Sequence, residues 1–295
     1  MSLDLESPGG LAYLSEKLKN DIDAHIVKKY STGHRSHLGA SQIGRPCSRE
    51  LWYGFRWVYY KIETAQQYRL FQRGHFEEPR FTEYLTDIGC EVTCFDDANL
   101  HEQDKGKRQI RISDCKGHFG GSIDAKIKLP AHYNITQDVL FLGEYKTQGT
   151  QKFAKLVEKG VQIDKYQHFC QQSIYGLKLG LQYAIYIAVD KNNDNLHLEV
   201  VKLDWTLGRE LESKAEKIIF SQEPPAKISA SPDFFECRWC SYRSICWHNH
   251  SIEVSCRSCM RAQPVDNAEW MCNLHGAIIP KEFIRKGCGD WVGIV

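Results

Sequence analysis

The chain has 295 residues, of which 42% are hydrophobic and 25% charged, and a formal net charge of +1. That length buries a sizeable core in one large domain or two modest ones, and the composition is that of a soluble globular protein. The near-zero charge excludes a uniformly basic nucleic-acid coat, so any DNA-binding surface has to be a local patch balanced by acid elsewhere.

Apolar spacing predicts an amphipathic helix over 11–30, a second over 48–57 and a third over 64–87, where Pro79 introduces a potential kink. From Cys90 to Lys146 the texture is β: "CEVTCF", "QIRIS", "GGSIDAKIKL" and "DVLFLGEYKT" are short β-branched runs between polar turns. Helical patterns return at 150–159 and 163–180, followed by the strands "YAIYIAVD" and "LHLEVVKLD" and a helix near 206–221 that Pro224 and Pro225 end. This order predicts an α/β fold, a mixed sheet flanked by helices. No apolar run is long enough to span a bilayer and no signal-peptide pattern is present, so an intracellular, cytoplasmic location is expected.

Two charges interrupt the strand "VLFLGEYKTQ". Residues i and i+2 share a strand face, so Glu144 and Lys146 point together and Tyr145 points away. Asp124, in "GGSIDAKIKL", sits in a similarly apolar setting after two glycines that permit close approach. Two carboxylates in a partly dry site repel unless a cation lies between them, and hard cations such as magnesium bind a few carboxylate oxygens, often with phosphate completing the shell. A lysine alongside adds positive charge where negative charge builds on a scissile phosphate. His75 and Glu78 share a helix face at i, i+3, and Gln171 and Tyr175 share another at i, i+4.

The series "GHFEE", "SIDAK", "GEYKT", "QQSIY" resembles the PD-(D/E)XK nuclease superfamily in its RecB-like branch, over about residues 35–250. The resemblance implies a restriction-endonuclease-like core with Mg2+ or Mn2+ held by Asp124, Glu144 and the Tyr145 carbonyl, and with Glu78 and His75 completing the shell. It further implies that Lys146 orients or activates water and that Gln171 and Tyr175 position that lysine and the DNA strand. "SI" stands before Asp124 where the superfamily's name has proline, an absence many members of the branch share.

Twelve cysteines are the compositional outlier, and seven lie between Cys237 and Cys288. Clustered thiols in an intracellular chain more often bind metal than form disulfides. Cys237, Cys240 and Cys246 form C-x2-C-x5-C and need a fourth partner, for zinc or for a cubane cluster. "CSRELWY" at Cys47 resembles the setting of the first ligand in the branch's iron–sulfur members, among them the AddB subunit and the CRISPR-adaptation nucleases. This implies a [4Fe–4S] cluster on Cys47, Cys237, Cys240 and Cys246, clamping a loop of some 190 residues. In the tail (251–295, against a nuclease domain of 1–250), Cys256, Cys259, Cys272 and either His275 or Cys288 have zinc spacing. The tail also resembles the cysteine-rich extension of some phage-encoded nucleases, whose last cysteine follows a glycine, which favours Cys288. It holds too little apolar surface to fold unaided. Cys90, Cys94, Cys115 and Cys170 read as core residues.

Basic residues cluster in "HIVKKYSTGHRSH", "RGHFEEPR", "KGKRQIR" and around Lys146, Lys152 and Lys155. Trp52, Tyr53, Phe55, Trp57, Tyr59 and Tyr60 read either as core aromatics or as a stacking platform for a single strand. The resemblance implies a metal-dependent DNA exonuclease that works with a single-strand annealing protein in phage recombination and leaves a 5′-phosphate. A CRISPR spacer-processing nuclease and a non-catalytic DNA-binding module are the alternatives, the second disfavoured by the intact Asp124, Glu144 and Lys146.

Overall fold

The computed structural model describes residues 5–96, 109–135 and 138–295. The stretch 105–108 of "KGKRQIR" lies outside the described residues. Helix α1 (Gly10–Tyr30) leads through the short strand β1 (Leu38–Gly39) to α2 (Ser48–Phe55) and α3 (Ala65–Asp87). Cys47 caps α2, its sulfur accepting from Glu50 N–H at 3.4 Å, and a Thr64–Gln67 capping box starts α3. Helix α3 runs through Pro79, which has no N–H to offer the carbonyl of His75.

Strands β2 (Glu91–Thr93), β5 (Ala125–Lys128), β6 (Leu140–Gln148), β7 (Tyr183–Asp190) and β8 (Leu196–Lys202) form a five-stranded sheet in the order β2-β5-β6-β7-β8. Only β6 and β7 pair in parallel, with Glu144 opposite Tyr186. Helices α4 (Thr150–Asp164) and α5 (Tyr166–Leu179) make the crossover between them, and the segment of α4 breaks at Gly160, φ +72°. The sheet is therefore mixed. Strands β3 (Arg111–Asp114) and β4 (Phe119–Ser122) make a second small sheet with β1, in the order β1-β4-β3.

"GGSIDAKIKL" is thus two strands in two sheets, with Ile123 and Asp124 at the break between them. Glycine is needed just before this break and on β6 opposite Ala125. A Cβ on Gly121 would lie 2.3 Å from the Tyr175 hydroxyl, and one on Gly143 would lie 2.9 Å from Ala125 Cβ.

Alternation along β6 and β7 divides the core in two. Tyr145, Ile185, Ile187 and Val189 pack with Phe81 and Leu85 of α3. Leu142, Ala184, Tyr186 and Ala188 face the larger cluster with α2, α5 and α6 (Trp205–Phe220). After α6 come the short helices α7 (Phe235–Arg238) and α8 (Arg243–His248), then a three-stranded antiparallel sheet of β9 (Ala262–Pro264), β10 (Trp270–Cys272) and β11 (Ala277–Ile278). The tail shares the larger cluster: Cys259, Ala262, Trp270 and Ile294 are buried in it, and Trp270 meets Phe55 at 5.3 Å between ring centroids.

Of the aromatics near α2, Trp52, Tyr53, Phe55 and Trp57 are core residues and closed to bases; Tyr59 is exposed. Cys90, Cys115 and Cys170 are buried and Cys94 is partly buried, and all twelve thiols are free. No helix among the described residues is long and apolar enough to cross a membrane.

Candidate active site

Strand β6 carries Glu144 into the interior, 1% exposed, with Lys146 two residues on along the same face. The Lys146 ammonium is in ion-pair contact with Glu144 Oε1, and its Nζ also donates to the Tyr145 carbonyl at 3.1 Å. From the break between β4 and β5, Asp124 Oδ2 accepts the Tyr145 N–H at 2.7 Å, which fixes its carboxylate beside β6. Helix α5 lies on this face, and Gln171 Nε2 donates to Glu144 Oε2 at 3.5 Å. One turn further, the buried Tyr175 ring occupies the space that Gly121 leaves open. His75 Nδ1 lies 3.0 Å from Glu78 Oε1 on α3.

Electrostatics link these groups. Burial raises the Glu144 carboxyl to about 7, with Asp124 and Glu78 adding to the rise and Lys146 opposing it. Glu78 is raised by burial and then by Asp124, with His75 opposing. Burial pulls the Lys146 ammonium down, but Glu144 and Asp124 outweigh that, and the net shift is upward. Three carboxylates around a single ammonium form a site short of positive charge. A divalent cation would supply that charge.

One neighbour was missed from sequence. His168, a turn before Gln171 on α5, bonds the Tyr186 hydroxyl through Nδ1 at 2.9 Å. Burial first, then Lys146, push it down to about 3, so it stays neutral. Its i, i+3 spacing to Gln171 was the available signal.

A groove of about 700 Å³ leads away from His75, lined by Tyr30, His34, Arg35, His37, Arg45, Tyr59, Tyr60, Lys61, Tyr68 and Phe71. Arg45 pairs with Glu50 at 2.5 Å and Lys61 with Glu63 at 3.1 Å. Glu50 and Tyr242 line both the groove and a second cavity, which Cys47, Cys237, Cys240 and Cys246 also line. Cys240 accepts the Tyr242 N–H at 3.4 Å, and Arg49 Nη1 reaches Cys246 Sγ at 3.9 Å. In the tail, Cys256, Cys259, Cys272 and Cys288 line a third cavity, where the Val292 N–H points at Cys259 Sγ at 3.5 Å. Among the described residues, only His275, Cys288 and Asp290, all exposed, bring three ligating atoms within 4.8 Å of one another.

No protein-family model matches the chain, and no curated protein matches it. Among solved structures it is similar to an alkaline exonuclease (LHK-Exo) from Laribacter hongkongensis, at 17% identity over 68% of this chain and 90% of that one, TM-score 0.41. LHK-Exo in complex with dAMP gives 18% identity over 62% and 86%, TM-score 0.41, and SSO0001 gives 14% over 79% and 98%, TM-score 0.43. Values this low leave the chemistry to be read from the side chains themselves.

Proposed function

We propose that the chain is a divalent-metal-dependent deoxyribonuclease of the PD-(D/E)XK type, an exonuclease that hydrolyses phosphodiester bonds from DNA ends. One observation carries this reading: Glu144 is buried against Lys146 and shares its field with Asp124 and Glu78. A structural module has little use for so costly an arrangement. Asp124, Glu144, Glu78 and the Tyr145 carbonyl would hold Mg2+ or Mn2+, with His75 beside Glu78. The bound ion supplies charge for phosphate oxygens and an acidified water. Lys146 keeps its proton and offers a fixed cation to the scissile phosphate, and Gln171 holds the Glu144 carboxylate in orientation. The neutral His168 adds no competing charge. The groove, with aromatic faces between cationic side chains, suits an extended strand.

The quartet Cys47, Cys237, Cys240 and Cys246 fits a [4Fe–4S] cluster. Its sulfurs surround one cavity and receive N–H donors, as cluster thiolates do. In the tail, Cys256, Cys259, Cys272 and Cys288 fit zinc. The motif order supports a role in phage recombination beside a single-strand annealing protein, in the host cytoplasm. Digestion of end-labelled linear DNA and covalently closed circles with magnesium or manganese tests the reading. Linear DNA should shorten from its ends and circles persist; rapid nicking of supercoiled plasmid by the pure protein would exclude an exonuclease.

A further inference from the structure

Arg56 and Arg257 are inside the protein, 0% and 1% exposed, with no carboxylate paired to either among the described residues. Arg56 ends α2, donates through Nη2 to the Cys259 carbonyl at 2.7 Å, and lies over the Trp52 and Trp270 rings at 5.8 and 5.1 Å. Arg257 lies between the cysteines of "CRSC". It donates to the carbonyls of Ser36, at 2.8 Å, and Phe55, and sits 4.4–4.6 Å from the rings of Phe55, Trp57 and Trp270. Arg56 Nε and Nη1 and Arg257 Nε have no hydrogen-bond partner. Carbonyls and aromatic faces offset part of the desolvation of a guanidinium, but two neighbouring cations in one dry core still lack an anion.

Both guanidiniums reach the loop that carries two of the tail's thiols. Arg56 holds the Cys259 carbonyl, and Arg257 stands between Cys256 and Cys259 in the chain. We propose that Cys256, Cys259, Cys272 and Cys288 bind one zinc as a tetrathiolate, and that Arg56 and Arg257 are its counter-charges. The inference rests on the metal-held tail proposed above. Four thiolates and one zinc leave a charge of −2, which the two guanidiniums cancel; Arg261 and Asp290, which also line the cavity, offset each other. With His275 in place of Cys288 the site carries −1, and one buried cation stays unbalanced. The exposed set His275, Cys288 and Asp290 would hold zinc with no net charge and balance neither arginine. Position agrees with charge: Cys288 lines the cavity with the other three cysteines and follows Gly287 at φ +69°, whereas His275 does not line it. The ion also acts at a distance, because Arg257 ties the tail to Phe55 of the groove wall and to Ser36, between the groove residues Arg35 and His37.

Zinc-edge X-ray absorption on the full-length, anaerobically purified protein counts the ligands directly. Only sulfur, at about 2.3 Å, is expected, and His275→Ala should leave the spectrum unchanged. A nitrogen ligand that disappears in His275→Ala would overturn the assignment. Competition with a chelator reads the counter-charges. Arg56→Met and Arg257→Met should each weaken zinc at least about tenfold, as expected for removing a desolvated charge beside a dianion, while Arg56→Lys retains most of the affinity. Met variants that hold zinc as tightly as the parent would sink the counter-charge role, and the ligand count stands independently if those variants do not fold. Protein with no zinc would remove the metal-held tail itself, leaving end-dependent digestion as a separate question.

Discussion

Gly121→Ala is the sharpest test of how the site is held. The new Cβ would lie 2.3 Å from the Tyr175 hydroxyl oxygen and 3.1 and 3.2 Å from ring carbons Cζ and Cε1. Gly121 pairs with Ile112 in the small sheet, and the Tyr175 ring is 1% exposed, so neither side yields freely. Overpacking of this kind costs about 1–3 kcal/mol. Tyr175→Phe deletes only the atom at 2.3 Å, and the remaining contacts need the ring to give by a few tenths of an ångström. The cost of Gly121→Ala should therefore be at least about 1 kcal/mol smaller in the Tyr175→Phe background, well outside the ~0.5 kcal/mol error of additivity. Urea unfolding of the four proteins measures it. Equal cost in both backgrounds would refute the contact. Because Tyr175 sits one turn beyond Gln171, Gly121→Ala should also slow single-turnover cleavage more than it weakens DNA binding.

Glu144→Ala and Asp124→Ala should each lower cleavage by at least about a hundredfold at saturating magnesium with DNA binding retained; near-parental digestion by either removes it from the metal site. Lys146→Ala should slow single-turnover cleavage steeply at nearly constant DNA affinity, and a parallel loss of both makes Lys146 a plain phosphate contact. In chelated protein, Glu144 titrates near 7 against an ordinary 4.5, so its contribution to stability is full below about pH 4.5 and lost as pH rises through about 7. Divalent cation should then raise the melting temperature more at pH 8 than at pH 5, and Glu144→Gln should shrink that difference; a rise that is the same at both pH values contradicts the raised carboxyl. Anaerobic protein should be brown, with about four irons and about one zinc per chain, and Cys47→Ser should bleach it while Cys256→Ser loses only zinc. Colourless protein with two zincs would replace the cluster by a second zinc.

Features that depend on local periodicity were legible in the sequence. The Glu144–Lys146 alternation, the His75–Glu78 and Gln171–Tyr175 helical pairs and the end of α6 before Pro224 all follow from spacing of a few residues. Asp124 was legible as a candidate but not as a break, because the apolar run around it continues across two sheets. The role of the aromatic stretch was not legible either: Phe55 and Trp57 are core residues because Trp270 and Arg257, some 200 positions later, close over them. Nothing in the local spacing of Arg56 or Arg257 marks either as buried. Only the assembled core shows them lacking a counter-ion. His168 carries a spacing signal, but a lone histidine on a helix says nothing until Tyr186 and Lys146 are beside it.

Asp124 stands where the chain crosses from one sheet into another, and this gives the site a mechanical character. Its N-terminal side is tied through β4 to β1, whose register couples Leu38 to Phe119 and Gly39 to Gly120, and Leu38 is itself a groove residue. On its C-terminal side, β5 is clamped to β6 and the fixed pair Glu144 and Lys146. Asp124 is therefore the joint between the groove-side sheet and the strand that carries Glu144 and Lys146, and its place beside Glu144 depends on the register of both sheets.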